Sequence, residues 1–247
     1  MDRLLYVAMS GARGIMDIQA VQAQNLANAN TVGFRKDLHA FSALPVRGPG
    51  YPDRVYTGAE AVEADLSPGP VMSTGRQLDI AIDGEGWIAV QAPDGTEAYT
   101  RAGDLRIDAN GLLTTGSGLP VMGNAGPIAI PPYESLEIGV DGTITVRAKG
   151  QGANALAQLD RIKLVSAAGT ELSKGTDGLM RTRSGAPLGA DAGVQITVGS
   201  LESSNVNGVE AMVNMIELAR QFELHMKAMK AAETNDEASQ RLMRLGS

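Results

Sequence analysis

The two ends of this chain carry helix-period apolar patterns, while the glycine-rich stretch between them alternates with period two. The first pattern runs over residues 2–29 and stops in Asn28-Ala29-Asn30-Thr31-Val32-Gly33-Phe34-Arg35-Lys36. The second starts after Ser203-Ser204-Asn205-Val206-Asn207-Gly208 and continues nearly to Ser247. Neither apolar stripe has an evident partner inside a β-rich middle. The simplest burial pairs the two ends with each other and then with neighbouring copies, which is the arrangement of an assembly subunit.

At the N-terminal end Leu4, Ala8, Ile15 and Ile18 fall at helical spacing, and Val21 and Leu26 continue a drifting stripe. Gly11 and Gly14 each cost about 1 kcal/mol relative to alanine, so this helix depends on packing, and its small residues let another backbone approach. Its stop is well marked. Asn28 and Asn30 tolerate left-handed backbone, and Gly33 takes positive φ freely. The C-terminal helix is capped by Asn207, with Glu210 completing a capping-box-like pair. Val209, Met212, Ile216, Ala219, Phe222, Met226 and Met229 follow at spacings of three or four. A continuous helix over 207–245 is about 58 Å long, more than a small domain needs, and packing between subunits accounts for that length.

Between the helices, residues 78–83 alternate, Gly84-Glu85-Gly86 turns the chain, and Trp87-Ile88-Ala89-Val90-Gln91 follows. Further strands are expected over 99–101, 105–108, 136–140, 143–147, 162–165 and 194–198. Asp94-Gly95, Asn110-Gly111 and Asp141-Gly142 predict hairpin turns in which both residues accept positive φ. The resulting fold class is mainly β with α: a central antiparallel β-sandwich or irregular β-barrel, plus an inner domain of paired terminal helices packed as in a coiled coil. The boundaries are an N-terminal helix at 1–30, an extended connector at 31–70 with a strand near 54–65, a β domain at 71–201 and a C-terminal helix at 202–247. Residues 149–154 form a loop within the β region.

Composition excludes several functions. A net charge of -7 and a pI near 4.9 argue against nucleic acid or an anionic membrane surface as partner, since both require clustered Lys and Arg. Without cysteine there is no disulfide, thiolate metal site or thiol nucleophile. No apolar run approaches the roughly 18 residues of a membrane span, so no direct membrane insertion is expected. The start, Met1-Asp2-Arg3-Leu4-Leu5, lacks the basic leader of a cleaved signal peptide.

The search for chemistry is nearly empty. His39 and His225 are the only histidines, and neither belongs to a motif. Gly84-Glu85-Gly86-Trp87-Ile88-Ala89 has the shape of a dinucleotide fingerprint but leads into a strand, whereas that motif must open a helix. Asp79 with Asp83 or Glu85 reads as acidic residues on the solvent face of a strand rather than a glycosidase pair. Asp108-Ala109-Asn110-Gly111 is too short for a calcium loop. No catalytic, cofactor-binding or metal site is expected, and no cofactor.

These residues carry a family resemblance. The run from Asn25 to Lys36 resembles the N-terminal signature of the bacterial flagellar axial proteins, the rod and hook group. The run from Leu78 to Trp87 resembles the first hairpin of their β domain, and Tyr99-Thr100-Arg101-Ala102-Gly103-Asp104-Leu105 with Asp108-Ala109-Asn110-Gly111-Leu112-Leu113 resembles the next. Gly199-Ser200-Leu201-Glu202-Ser203-Ser204-Asn205-Val206-Asn207 and Met212-Val213-Asn214-Met215-Ile216 resemble the C-terminal signature. Phe34 stands where many relatives have Tyr, and Val32 where many have Pro. The chain's opening, Leu44-Pro45-Val46, the run from Leu218 to Leu224 and the modest length resemble the proximal rod branch, with the distal rod as its rival.

The resemblance implies a subunit that leaves the cytoplasm unfolded through the flagellar export apparatus, without a cleaved signal peptide. It then joins itself and other rod proteins in a helical periplasmic shaft of the basal body, with no turnover. Leu4, Ala8, Ile15, Ile18, Leu26, Val209, Met212, Ile216, Ala219, Phe222, Met226 and Met229 are the expected interface. Asn28, Asn30, Thr31, Gly33, Phe34, Asn205 and Asn207 mark the motif turns. A reading from another class is a secreted β-sandwich that binds a glycan or a surface protein, with Trp87 as its stacking platform.

Overall fold

The computed structural model describes residues 2–39, 41–45, 55–59, 63–150, 156–167 and 169–245. Residues 40, 46–54 and 60–62 of the expected connector and 151–154 of the expected loop lie outside them, and Leu4 is described in backbone only. The chain divides into two compact units. One contains Met1–Ala27, Asp37–Glu63 and Asn207–Ser247; the other contains Asn28–Lys36 and Ala64–Val206.

The first unit is built on two helices that pack on each other, α1 (Asp2–Ala27) and α2 (Gly208–Leu245). Helix α1 turns Ala8, Ala12 and Ile15 inward, and all three are buried. On α2 the inward face runs through buried Ala211 and half-buried Leu218, Phe222, His225 and Met229, steps of seven, four, three and four that keep one stripe on one side. Asn207 caps α2, its Oδ1 accepting the N–H groups of Val209 at 3.1 Å and Glu210 at 3.3 Å. Strands Phe41–Pro45 and Val55–Ala59 pair antiparallel, and the second runs beside α1. Near the end of α1, buried Asn25 clasps the backbone of Asp37. Its Nδ2 donates to the Asp37 carbonyl at 2.9 Å, and its Oδ1 accepts the Asp37 N–H at 2.8 Å.

The second unit is a set of small antiparallel sheets, and no closed barrel forms among the described residues. Its largest sheet orders Leu164–Val165, Trp87–Gln91, Glu97–Thr100, Met180–Thr182 and Leu172–Lys174. Alternation along Trp87–Gln91 explains two cores rather than one. Ile88 and Val90 enter a large apolar cluster with Ile80, Leu105, Leu113, Val121 and Ile144, while Trp87 and Ala89 enter a smaller one with Tyr99, Val165, Leu172 and Met180. A three-stranded sheet, Tyr133–Ile138, Thr143–Ala148 and Ala157–Arg161, adds Leu136, Ile138 and Val146 to the large cluster.

The turns hold a correction. At Gly95, Gly111 and Gly142 φ is +82°, +84° and +84°, but no non-glycine residue among those described has positive φ. Each glycine N–H instead donates three residues back, to the carbonyls of Ala92, Asp108 and Gly139. These are type I turns followed by a left-handed glycine bulge, and the preceding aspartate or asparagine keeps ordinary backbone. The same correction applies at Asn28 and Asn30, where the left-handed position passes to Gly33 at φ +67°.

A buried arginine–glutamate junction and an exposed helix face

Within the β unit, the turn after α1 and the strand that precedes α2 meet at one carboxylate. Glu202 ends the strand Ser200–Glu202, which pairs with Val71–Ser73. Its backbone carbonyl accepts the Gly33 N–H at 2.8 Å. Its side chain, 1% exposed, lies 2.6 Å from Arg35 Nη2 and 3.1 Å from Arg101 Nη1, and accepts the Gly69 N–H at 2.8 Å. Both guanidiniums rest against the ring of Trp87, Arg101 at 5.3 Å and Arg35 at 5.9 Å from its centroid. Burial, opposed by the Glu202 carboxylate and aided by neighbouring Arg35, draws the Arg101 guanidinium below the ordinary arginine value. Two cations sharing one anion in a low-dielectric interior hold their geometry strongly, because removing the anion strands both.

Asn205 supplies a second set of ties. Its Oδ1 accepts the Lys36 N–H at 2.7 Å, its Nδ2 donates to the carbonyls of Asp65 at 2.9 Å and Ser67 at 3.0 Å, and its own N–H donates to the Phe34 carbonyl at 3.3 Å. Lys36 pairs with Asp65 at 3.1 Å. Asp65 is drawn below the usual carboxylate range, since hydrogen bonds from Ser67 and Lys36 together outweigh its burial. Lys174 closes the other side, with its ammonium 3.9 Å from the Phe34 ring centroid and donating to the Arg35 carbonyl at 2.7 Å.

The predicted turn residues therefore play unequal parts. Gly33 is the tightest: a Cβ there would fall 2.3 Å from the Arg101 carbonyl carbon. Asn28 and Thr31 close a local turn through a backbone bond of 3.1 Å and a side-chain bond of 3.1 Å. Asn30 is exposed. Arg35, Arg101 and Glu202 were not expected as a group, although each lies inside a different recognised motif. A charge repeated within glycine-rich motifs is the signal that could have found them.

The expected interface residues also divide. Ala8 and Ile15 are buried, and Ile18, Leu26, Phe222 and Met229 half-buried. Val209, Met212, Ile216, Ala219 and Met226 face outward, joined by Val213 and Leu224. The stripe read from the sequence thus crosses two faces of α2, one turned to α1 and one open.

Two other readings change. Asp79, placed on a solvent face, is 4% exposed and is held by the Thr74 hydroxyl at 2.7 Å and by Arg76 at 2.8 Å. Trp87, offered as a stacking platform, is 4% exposed beneath its two arginines, so no ring face is free for a sugar. Among the described residues no helix is long and apolar enough to cross a membrane, and no three His, Asp or Glu side chains gather as a metal would require.

Comparison with known proteins places this architecture. Residues 81–146 match the flagellar hook protein FlgE/F/G D1 domain, and residues 197–242 match the C-terminal domain of the flagellar basal body rod FlgEFG proteins. The flagellar basal-body rod protein FlgF of Escherichia coli is 44% identical over 95% of this chain and 96% of its own length. The FlgF of Salmonella typhimurium is 42% identical over 98% and 99%, and the rod protein FlgG of Buchnera aphidicola 33% identical over 98% of each. The junction residues Glu202 and Asn205 and most of the open face of α2 fall inside the matched C-terminal domain. The chain belongs to the bacterial flagellar rod and hook protein family and, within it, is similar to the basal-body rod protein FlgF.

Proposed function

We propose that this chain is a structural subunit of the flagellar basal-body rod, of the proximal FlgF type, that polymerises through its terminal helices. The observation that carries the mode of assembly is the open apolar face of α2. Val209 is 69% exposed and Ile216 57%, with Val213, Leu224 and Met226 beside them. An apolar row of that length on a helix already packed on one side is suited to partners. A heterologous contact repeated from copy to copy propagates a helical array. The higher identity to FlgF than to FlgG favours the proximal position.

In this reading the subunit acts by transmitting torque and catalyses nothing. It passes through the export apparatus with its N-terminus uncut, and crosses the periplasm in the rod beside other rod proteins. The β unit forms a sandwich-like body, and the paired terminal helices carry the contacts between subunits. The Glu202 junction fixes the turn that follows α1. Purified basal bodies from cells carrying a tagged copy test it: the subunit is expected in the rod, with an N-terminal peptide of uncleaved mass. Absence from basal bodies, together with normal swimming of a null strain, overturns the reading.

A further inference from the structure

Helix α2 reverses the usual burial order at one place. Leu224 and Met226 are 63% and 47% exposed, while His225 between them turns inward. A rotation of α2 by one residue, about 100°, would bury leucine or methionine in its place. The chain forgoes that burial, so the site is not selected for apolar area alone.

What His225 meets explains the choice. A Cβ on Gly11 of α1 would fall 2.4 Å from the His225 Cε1 and 2.9 Å from its Nδ1. The imidazole therefore occupies the space that any side chain at position 11 would take. Gly11 shares its face with Ala8 and Ile15, three and four positions away. A glycine in a helix interior costs stability relative to alanine, and here the missing side chain is the seat of a ring. Both residues lie in the same compact unit.

We propose that Gly11 and His225 are a specificity-determining pair. The ring seats where α1 has no side chain, so the pair favours one axial register of α1 on α2 over slips that set the ring against Ala8 or Ile15, and over the helices of unlike subunits. A single polar residue sets register in the same way in coiled coils, at a cost in stability. The selection among subunits rests on the rod reading above; the pairing itself does not.

The test is a double-mutant cycle on the full chain, read as the thermal midpoint of its helical circular dichroism. Gly11→Ala alone is expected to lower the midpoint by about 2–4 °C despite alanine's better propensity. In a His225→Ala background the same change is expected to raise it, because propensity then acts alone. The same sign in both backgrounds overturns the proposal. If Gly11→Ala abolishes the helical signal outright, its recovery in the double variant supports the pair, and failure to recover sinks it. These measurements need no rod, so failure of the basal-body experiment would leave them standing.

Discussion

The β unit and the helical unit use apolar residues in opposite ways. In the β unit Ile80, Ile88, Val90, Leu105, Leu113, Val121 and Ile144 have no exposed surface at all. In the helical unit Met9, Met16, Val209, Met212, Val213, Ile216, Leu224 and Met226 all stand open to solvent. The β unit absorbs most of its pattern between sheet faces, leaving Val71, Met72, Val140 and Leu156 exposed, whereas two helices can bury only one face of each in the other, and α2 carries apolar residues on two. One part of this chain has an extensive core of its own. The other leaves an apolar face open, and on the assembly proposed above that face would tie stability in the rod to polymerisation.

The comparison breaks first at Glu202, where the β unit's self-sufficiency depends on a buried charge. Glu202→Ala leaves Arg35 and Arg101 without their anion and is expected to cost about 3–5 kcal/mol. The urea midpoint read from Trp87, the only tryptophan in the chain, reports it directly, since both arginines lie on that ring. A midpoint equal to wild type would show that the cluster contributes nothing. Gly33→Val comes next. The left-handed backbone at φ +67° costs a β-branched residue about 1–3 kcal/mol, and the Arg101 and Ala102 backbone would meet its Cβ. The variant should be exported yet give short or absent rods. Normal flagella would reduce this turn to simple punctuation.

What could be read from the sequence follows the same division. Periodicity located both helices, because a 3.6-residue repeat shows within single segments, and Asn207 announced its cap. The strand Trp87–Gln91 was legible for its apolar run. Strands Leu172–Lys174 and Met180–Thr182 were not, being three residues each and defined by the sheet they complete. The junction was legible only as motif: nothing local to Arg35, Arg101 or Glu202 says that residues 101 or more positions apart share a carboxylate. On α2 the stripe was found but not its division, because Val209, Met212 and Ile216 satisfy the same spacing rule as Leu218, Phe222 and Met229.

A smaller effect distinguishes the β unit by pH. Burial, with Glu97 adding to it and the Leu188 N–H opposing, pushes the Tyr99 hydroxyl up from 10.0 to about 12. The hydroxyl accepts from Leu188 at 2.7 Å and donates to Glu97 at 2.9 Å. Because the folded value is raised, the stabilisation is fully present below pH 10 and is lost as pH rises through about 12. Tyr99→Phe removes the titrating group along with about 1 kcal/mol of hydrogen bonding. Its Trp87-monitored stability should therefore fall less steeply than wild type between those values. Parallel curves would mean that Tyr99 is not the group responsible for the alkaline limb.

The smallest effect on the free subunit is expected to be the largest on assembly. Ile216 is 57% exposed and Phe222 half-buried on the α1 side, so the two positions separate the faces of α2. Ile216→Asp should change the stability of the isolated chain by no more than about 0.5 kcal/mol, as for other surface substitutions. Phe222→Asp introduces a carboxylate into the helix pair and should lower its helical melting midpoint, while leaving Trp87 in the β unit undisturbed. In a null strain both should abolish swimming, by different routes: Phe222→Asp because the pair does not form, Ile216→Asp because a well-formed pair cannot receive its neighbour. If Ile216→Asp cells swim normally at normal protein level, the open face is not the subunit contact. The surplus apolar surface of the helical unit would then need another explanation.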